Sequence, residues 1–275
     1  MAFDYVFIDL SYFIIHKYFG ILTWLKLTQQ DPLDQKGMFR RFRIVFEDAL
    51  VNFQKRYKFD WSKVVLAKDT PREMIWRNAI FPDYKKARSL PQNKRNNDFD
   101  PAIFKYVLDE VIPSLAEKYG GLTVMGVDGA EADDIVAIAH RYLRKYDEGK
   151  DSKTSILIIT NDNDYMQLLD DNTTIANANN LELKSRFDET MLSVFLEWKI
   201  IKGDLSDSIP SIARLVGDKT ALKLALDKKL LEKKFESDPG IRERYDMNKR
   251  LISFACIPDD IANNIIDVVQ KTISI

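Results

Sequence analysis

The sequence predicts an α/β protein: a mainly parallel sheet flanked by helices, followed by a helical C-terminal region. Three observations carry this. Short Val- and Ile-rich runs lack polar alternation, as strands covered on both faces do. Segments long enough for helices separate them. Past about residue 188 the strand signal fades and helical spacing takes over, as in Leu222, Leu224, Leu226, Leu230 and Leu231.

Taken in order, a strand at about 4 to 9 is followed by helices at about 11 to 27 and 38 to 57, then a strand at 64 to 68. A polar stretch leads to a helix at about 101 to 119 and a strand at 122 to 126. A helix at about 131 to 146, a strand at 155 to 160, a short helix near Tyr165 to Leu169 and a strand at 173 to 177 complete the alternation. Residues 1–187 therefore read as an α/β core and 188–275 as a helical region. The stretch between Asp69 and Asp100 carries Pro71, Pro82 and Pro91 and is too long and basic for a minimal connection. It reads as a segment that closes over a charged ligand near the strand ends.

The 275 residues suffice for one large domain or a core with an appendage, and 45% of them are hydrophobic. No apolar run approaches the roughly 20 residues of a membrane span, and no export signal is visible at the N-terminus. The chain is expected to be soluble, intracellular and without a membrane partner. A single cysteine, Cys256, excludes an internal disulfide framework and a cysteine zinc cage. The net charge of −1 points to no partner, but the distribution does. Eight bases lie between Lys68 and Arg95, and seven between Arg214 and Lys234, against three acids in each stretch. Clustered bases beside an acidic pocket suit metal-assisted chemistry on a polyanion; taken singly, each Lys run is more often a solvated helix face.

The acids are the sharper signal. Tyr5–Ile8 runs into Asp9, Val64–Lys68 into Asp69, Leu122–Met125 ends shortly before Glu131-Ala132-Asp133-Asp134, and Ile156–Thr160 ends before Asp162 and Asp164. In open α/β sheets the carboxyl ends of the strands form the ligand crevice, so these seven acids should converge there. Their repulsion calls for a compensating charge, for which a divalent cation is the usual solution. Helix capping would explain one or two acids at Glu131–Asp134, but not a third. An Asp-x-Asp alone also occurs in calcium loops. Of the two histidines, His140 reads as a helix-surface residue, and none is needed as a ligand.

Gly203-Asp204-Leu205-Ser206-Asp207-Ser208 and then Gly217-Asp218-Lys219-Thr220-Ala221-Leu222-Lys223-Leu224 complete the series. From about Phe7 to Leu224 this pattern resembles the 5′ nuclease family of flap endonucleases, polymerase 5′ to 3′ exonuclease domains and phage RNase H-type exonucleases. The resemblance implies a PIN-like α/β fold with a basic arch at about 70 to 100 and a C-terminal helix-turn-helix that binds DNA. It implies that Asp9, Asp69, Glu131, Asp133, Asp134, Asp162, Asp164, Asp204 and Asp207 hold two Mg²⁺, replaceable by Mn²⁺. Arg77 and Lys85 would act near the scissile phosphate. Arg72, Tyr84, Lys86 and Arg88 in the arch, with Gly217, Lys219, Thr220 and Lys223 at the helix-turn-helix, would contact nucleic acid.

The implied function is a structure-specific 5′ nuclease, a 5′ to 3′ exonuclease or flap endonuclease that acts on DNA with 5′ ends or flaps and on RNA primers. Replication proteins are expected partners, of a monomeric nuclease of cellular or viral origin. A PIN-like ribonuclease and a non-catalytic nucleic-acid binding module are the rival readings. The chain departs from the family at Asp9-Leu10-Ser11, where Asp-Gly-Asn is usual, and at Ser208, which replaces an Asn. It departs again at Ile212–Val216, which lacks the glycines of the hairpin that holds duplex and K⁺.

Overall fold

The computed structural model of the protein describes residues 2–86 and 98–273. Five strands form one sheet: β1 (Tyr5–Asp9), β2 (Val64–Ala67), β3 (Thr123–Met125), β4 (Ile156–Ile159) and β5 (Thr173–Ala176), in the order β3-β2-β1-β4-β5. Every pairing is parallel, with Asp9 opposite Ala67 and Ile8 opposite Ile159. The order reverses at β1, because the chain runs outward through β2 and β3 and then returns to β4 on the other side. The gap between the ends of β1 and β4 is thus the topological switch point, where α/β sheets bind ligands.

Strand residues alternate between two cores, as the two-residue period requires. Val6, Ile8, Val64, Leu66, Leu157 and Ile159 face α1 (Leu10–Leu27), α2 (Gln35–Tyr57) and residues 103–115. That last segment comprises α4 (Ala102–Tyr106), a wider turn Val107–Val111, and α5 (Ile112–Tyr119). On the other face Tyr5, Phe7, Val65, Ala67, Ile156 and Ile158 pack with α6 (Ala132–Tyr146) and α12 (Asp259–Thr272). Side chains such as Phe7, Ile8 and Leu66 are wholly buried, each contributing about 1.5 to 3 kcal/mol of apolar transfer.

Between β2 and α4 lies α3 (Arg77–Ile80), preceded by a single turn at Arg72–Met74. Among the described residues beyond 188, all regular structure is helical: α7 (Glu189–Ser193), α8 (Phe195–Lys202), α9 (Asp218–Leu226), α10 (Lys228–Ser237), α11 (Pro239–Ile252) and α12. Helices α8 to α11 share their own small core, with Ile201, Leu224, Leu231, Phe235 and Ile241 buried. In contrast, α12 returns to the sheet core through Ile265 and Val269.

His140 is not a surface residue. It is 8% exposed, its Nε2 lies 3.0 Å from the Thr173 hydroxyl, and burial together with Arg144 depresses its pKa to about 4. The polar partners that hold it come from β5 and the preceding loop, which helix periodicity cannot reveal.

Candidate active site

The carboxyl edge of the sheet opens into a crevice of about 640 Å³, lined by Asp9, Asp69, Glu131, Asp133, Asp162 and Asp204 among others. Local structure sets each acid. Asp9 ends β1 and caps α1, its Oδ1 accepting the Tyr12 amide at 2.9 Å. Asp69 follows β2 and accepts the Ala132 amide at 2.8 Å, which ties it to the start of α6. Asp162 follows β4 and accepts the Asp164 amide at 2.9 Å. Asp133 accepts the Asp134 amide at 2.8 Å.

Four of these acids share one property. Among the described residues, Asp9, Asp69, Asp133 and Asp162 form no ion pair with a basic side chain. The consequence shows at Asp9, whose pKa rises to about 7 through burial first and then repulsion by Asp69 and Asp162. Asp133 is likewise pushed well up, by burial and by its neighbours Asp134 and Glu131 despite the pull of Arg77. A set of oxygen donors that repel one another and form no ion pair among the described residues fits a hard divalent ion.

The remaining acids already have cations. Arg77 is 1% exposed, and its guanidinium meets Glu131 at 2.8 Å and both oxygens of Asp134 at 2.8 and 2.9 Å. Its Nε donates to the Leu251 carbonyl at 2.8 Å. Asp134 also accepts from the Trp76 indole and the Glu131 amide. The sequence expectation put Arg77 near a reacting phosphate and Asp134 on a metal. In the fold Arg77 lies beneath the crevice as the counter-ion of two carboxylates, and Asp134 spends its lone pairs on four such bonds.

Lys85, by contrast, does line the crevice. Its ammonium pairs with Glu131 and stands 3.9 Å from Asp207. Its backbone takes φ 56°, an unusual value for a side-chain-bearing residue, fixed by its amide donating to the Asp207 carbonyl at 2.9 Å. Burial alone would raise the Glu131 pKa, but Lys85 and Arg77 outweigh it and hold the carboxyl below its usual range. Tyr84 donates to Glu131 at 2.9 Å and to Asp207 at 3.3 Å.

A second acidic group unites Asp164, Asp204 and Asp207, with one oxygen of each within 4.8 Å of the others; Glu131, Asp133 and Asp134 form a comparable group. Lys199 on α8, 7% exposed, pairs with Asp164 and stands 3.0 Å from Asp204. Opposing the effect of burial, Lys199 and the Ser206 hydroxyl and amide hold Asp204 at a pKa of about 2. Sequence reasoning missed Lys199. A lone lysine within Phe195–Ile201 was its only signal, since its acidic partners are distant in the chain. It also missed Trp198 and Lys202, which line the crevice and hold the first residue of α9: Lys202 Nζ lies 2.6 Å from Asp218, and the Trp198 indole donates to its carbonyl at 3.3 Å.

The other expected contacts are spread out. Arg72 donates to the Tyr84 carbonyl at 3.2 Å, and Lys86 pairs with Asp83 at 2.9 Å on the surface. Arg88 lies outside the described residues. Gly217 caps α9, and Lys219, Thr220 and Lys223 line a shallow cleft there with Lys233 and Lys234. The glycine-poor hairpin still turns: Leu215 takes φ 62°, where glycine would be free of strain. At Gly203, φ is 75° and a Cβ would meet the Pro210 carbonyl oxygen at 2.4 Å, so glycine is required to bring Asp204 into the crevice.

A parallel-sheet core with carboxylates at its switch point and lysines beside them places the protein in the class of acidic-crevice nucleases. Within that class the chain belongs to the family described as 5′-3′ exonuclease, N-terminal resolvase-like domain, which matches residues 4–194. It is similar to the 5′-3′ exonuclease of Buchnera aphidicola (subsp. Schizaphis graminum), 29% identical over 172 residues, covering 60% of this chain and 53% of that protein. It is also similar to the ribonuclease H of Enterobacteria phage T4, 26% identical over 241 residues, covering 82% of this chain and 75% of that one. The chain spans about half the length of the first of these curated relatives. Among solved structures, zinc-bound T5 5′-exonuclease superposes with a TM-score of 0.66 at 16% identity, covering 98% of this chain and 99% of that one. At that identity the likeness shows the fold.

Proposed function

We propose that the protein is a divalent-metal-dependent 5′ nuclease that hydrolyses phosphodiesters in DNA with 5′ ends or flaps, and in RNA paired to DNA. The observation that carries this is the group of four carboxylates that form no ion pair among the described residues, Asp9, Asp69, Asp133 and Asp162, beside Lys85 at the switch point. Family membership and the metal-bound T5 5′-exonuclease support it. So does the T5 flap endonuclease in a complex with DNA and metal ions.

Those four acids and Glu131 would hold one Mg²⁺ or Mn²⁺, and Asp164, Asp204 and Asp207 a second. Two such ions supply activation of the attacking water and neutralisation of charge at the phosphate. The chain's own groups do the rest. Lys85, released from Glu131, donates to a non-bridging phosphate oxygen, and Lys199 balances Asp164 and Asp204 until substrate arrives. Arg77 holds Glu131 and Asp134 in place. Helix α9 is the second half of a helix-turn-helix that grips duplex phosphates through the α9 amides, Lys219, Thr220 and Lys223. The hairpin before α9 is the place for K⁺. In this reading 1–187 is the catalytic core with its arch, 188–275 the DNA-binding region, and the protein works inside the cell as a monomer with replication proteins.

The test is Asp162→Asn combined with Asp164→Asn, assayed on a 5′-flap substrate. Mg²⁺-dependent cleavage should vanish while binding in Ca²⁺ remains. Full cleavage by the double variant refutes the metal assignment, and equal activity on unstructured RNA would instead mark a ribonuclease.

A further inference from the structure

Tyr165 is 1% exposed, and its ring packs edge-on against Phe254 at a centroid distance of 6.3 Å. Packing explains the ring but not the hydroxyl, which has no hydrogen-bond partner among the described residues. The other buried tyrosines differ: Tyr5 pairs with Lys63, Tyr18 with the Asp100 amide, and Tyr84 with Glu131. A buried hydroxyl left unpaired costs its desolvation, so phenylalanine would serve a purely apolar role better.

The location of Tyr165 resolves this. It lies three residues after Asp162 in the tight turn Asn163–Leu168, where side chains three apart share a side, and it lines the crevice with the four acids that form no ion pair among the described residues. A phenol is un-ionised at neutral pH and so offers a donor. A donor with no partner among the described residues thus lines the same crevice as oxygens that have acceptor capacity to spare.

We propose that Tyr165 is a positioning residue of the crevice, whose hydroxyl donates to the oxygen shell that Asp9, Asp69, Asp133 and Asp162 build around a bound divalent cation. It rests on the reading of the crevice as a cation site. The hydroxyl orients a carboxylate or water oxygen toward the cation and finds its missing partner when the cation binds.

The test compares wild type with Tyr165→Phe, without DNA, by Mn²⁺ titration calorimetry and by melting in EDTA. Tyr165→Phe should melt in EDTA at or above the wild-type temperature, because it removes an unpaired buried hydroxyl. Its Mn²⁺ affinity should fall about 10-fold, the loss of one hydrogen bond to a charged group. Phe254→Leu, which loosens the ring without touching the hydroxyl, should lower the melting temperature and leave Mn²⁺ affinity within about 2-fold. Unchanged affinity in Tyr165→Phe, with wild type binding Mn²⁺ normally, overturns the proposal alone. Absence of Mn²⁺ binding by wild type overturns the cation reading beneath it as well.

Discussion

Replacing Asp9 with Asn should stabilise the protein in the absence of divalent ions. The Asp9 pKa rises from 3.8 to about 7 on folding, through burial and the repulsion of Asp69 and Asp162. A raised carboxylate pKa means that the folded state binds more protons than the unfolded one between those values. Stability is therefore lost as pH rises from about 4 to about 7. At pH 8 the cost approaches about 4 kcal/mol, and at pH 5 it is about 1.6 kcal/mol. Asn keeps an acceptor for the Tyr12 amide, so the cap survives. For a chain of this size, 1 kcal/mol moves the midpoint by about 2 °C, so Asp9→Asn should melt about 8 °C higher at pH 8 in EDTA. Most of that gain should be gone by pH 5. Adding Mg²⁺ should stabilise wild type and leave Asp9→Asn nearly unmoved. A lower midpoint for Asp9→Asn in EDTA, or a gain independent of pH, refutes the reasoning.

Other expectations follow from the same geometry. Arg77→Met strands Asp134 in the interior and leaves Glu131 to Lys85 alone, and loss of a buried counter-ion costs roughly 3 to 5 kcal/mol, read in a urea melt. Lys85→Gln should lower kcat roughly 100-fold on a flap substrate, because its ammonium faces the crevice. Lys219→Gln with Lys223→Gln should weaken duplex binding and lower the salt slope by about 1 to 2, measured by anisotropy between 50 and 200 mM salt. His140 behaves opposite to Asp9: its depressed pKa of about 4 means that stability is lost as pH falls below about 6.5. His140→Gln should flatten that acid limb of the melting curve.

The sheet was legible in the sequence because a strand covered on both faces must be apolar without alternation, and Tyr5–Ile8, Val64–Ala67 and Ile156–Ile159 are. The acids were legible because strand ends and helix starts fix where Asp9, Asp69, Asp133 and Asp162 stand. What the sequence hides is which acids are already neutralised. Arg77 reads as one more base in a basic stretch, yet a fold that buries it beside Asp134 makes it structural. Lys199 sits in an apolar helix and meets Asp164 and Asp204 only through tertiary packing. Tyr165 looks like an ordinary core aromatic, and only the fold leaves its hydroxyl without a partner among the described residues. Such pairings depend on side-chain reach between distant elements, which no local period encodes.

The most direct measurement is product mapping on a 5′-labelled flap duplex, with Mg²⁺ present or chelated, for wild type and Asp162→Asn. Mg²⁺-dependent cuts at or near the flap junction that leave 5′-phosphorylated products, lost in EDTA and reduced at least about 100-fold in Asp162→Asn, are the predicted result. Cleavage that persists in EDTA, or that Asp162→Asn performs at the wild-type rate, contradicts a metal-dependent nuclease site at this crevice.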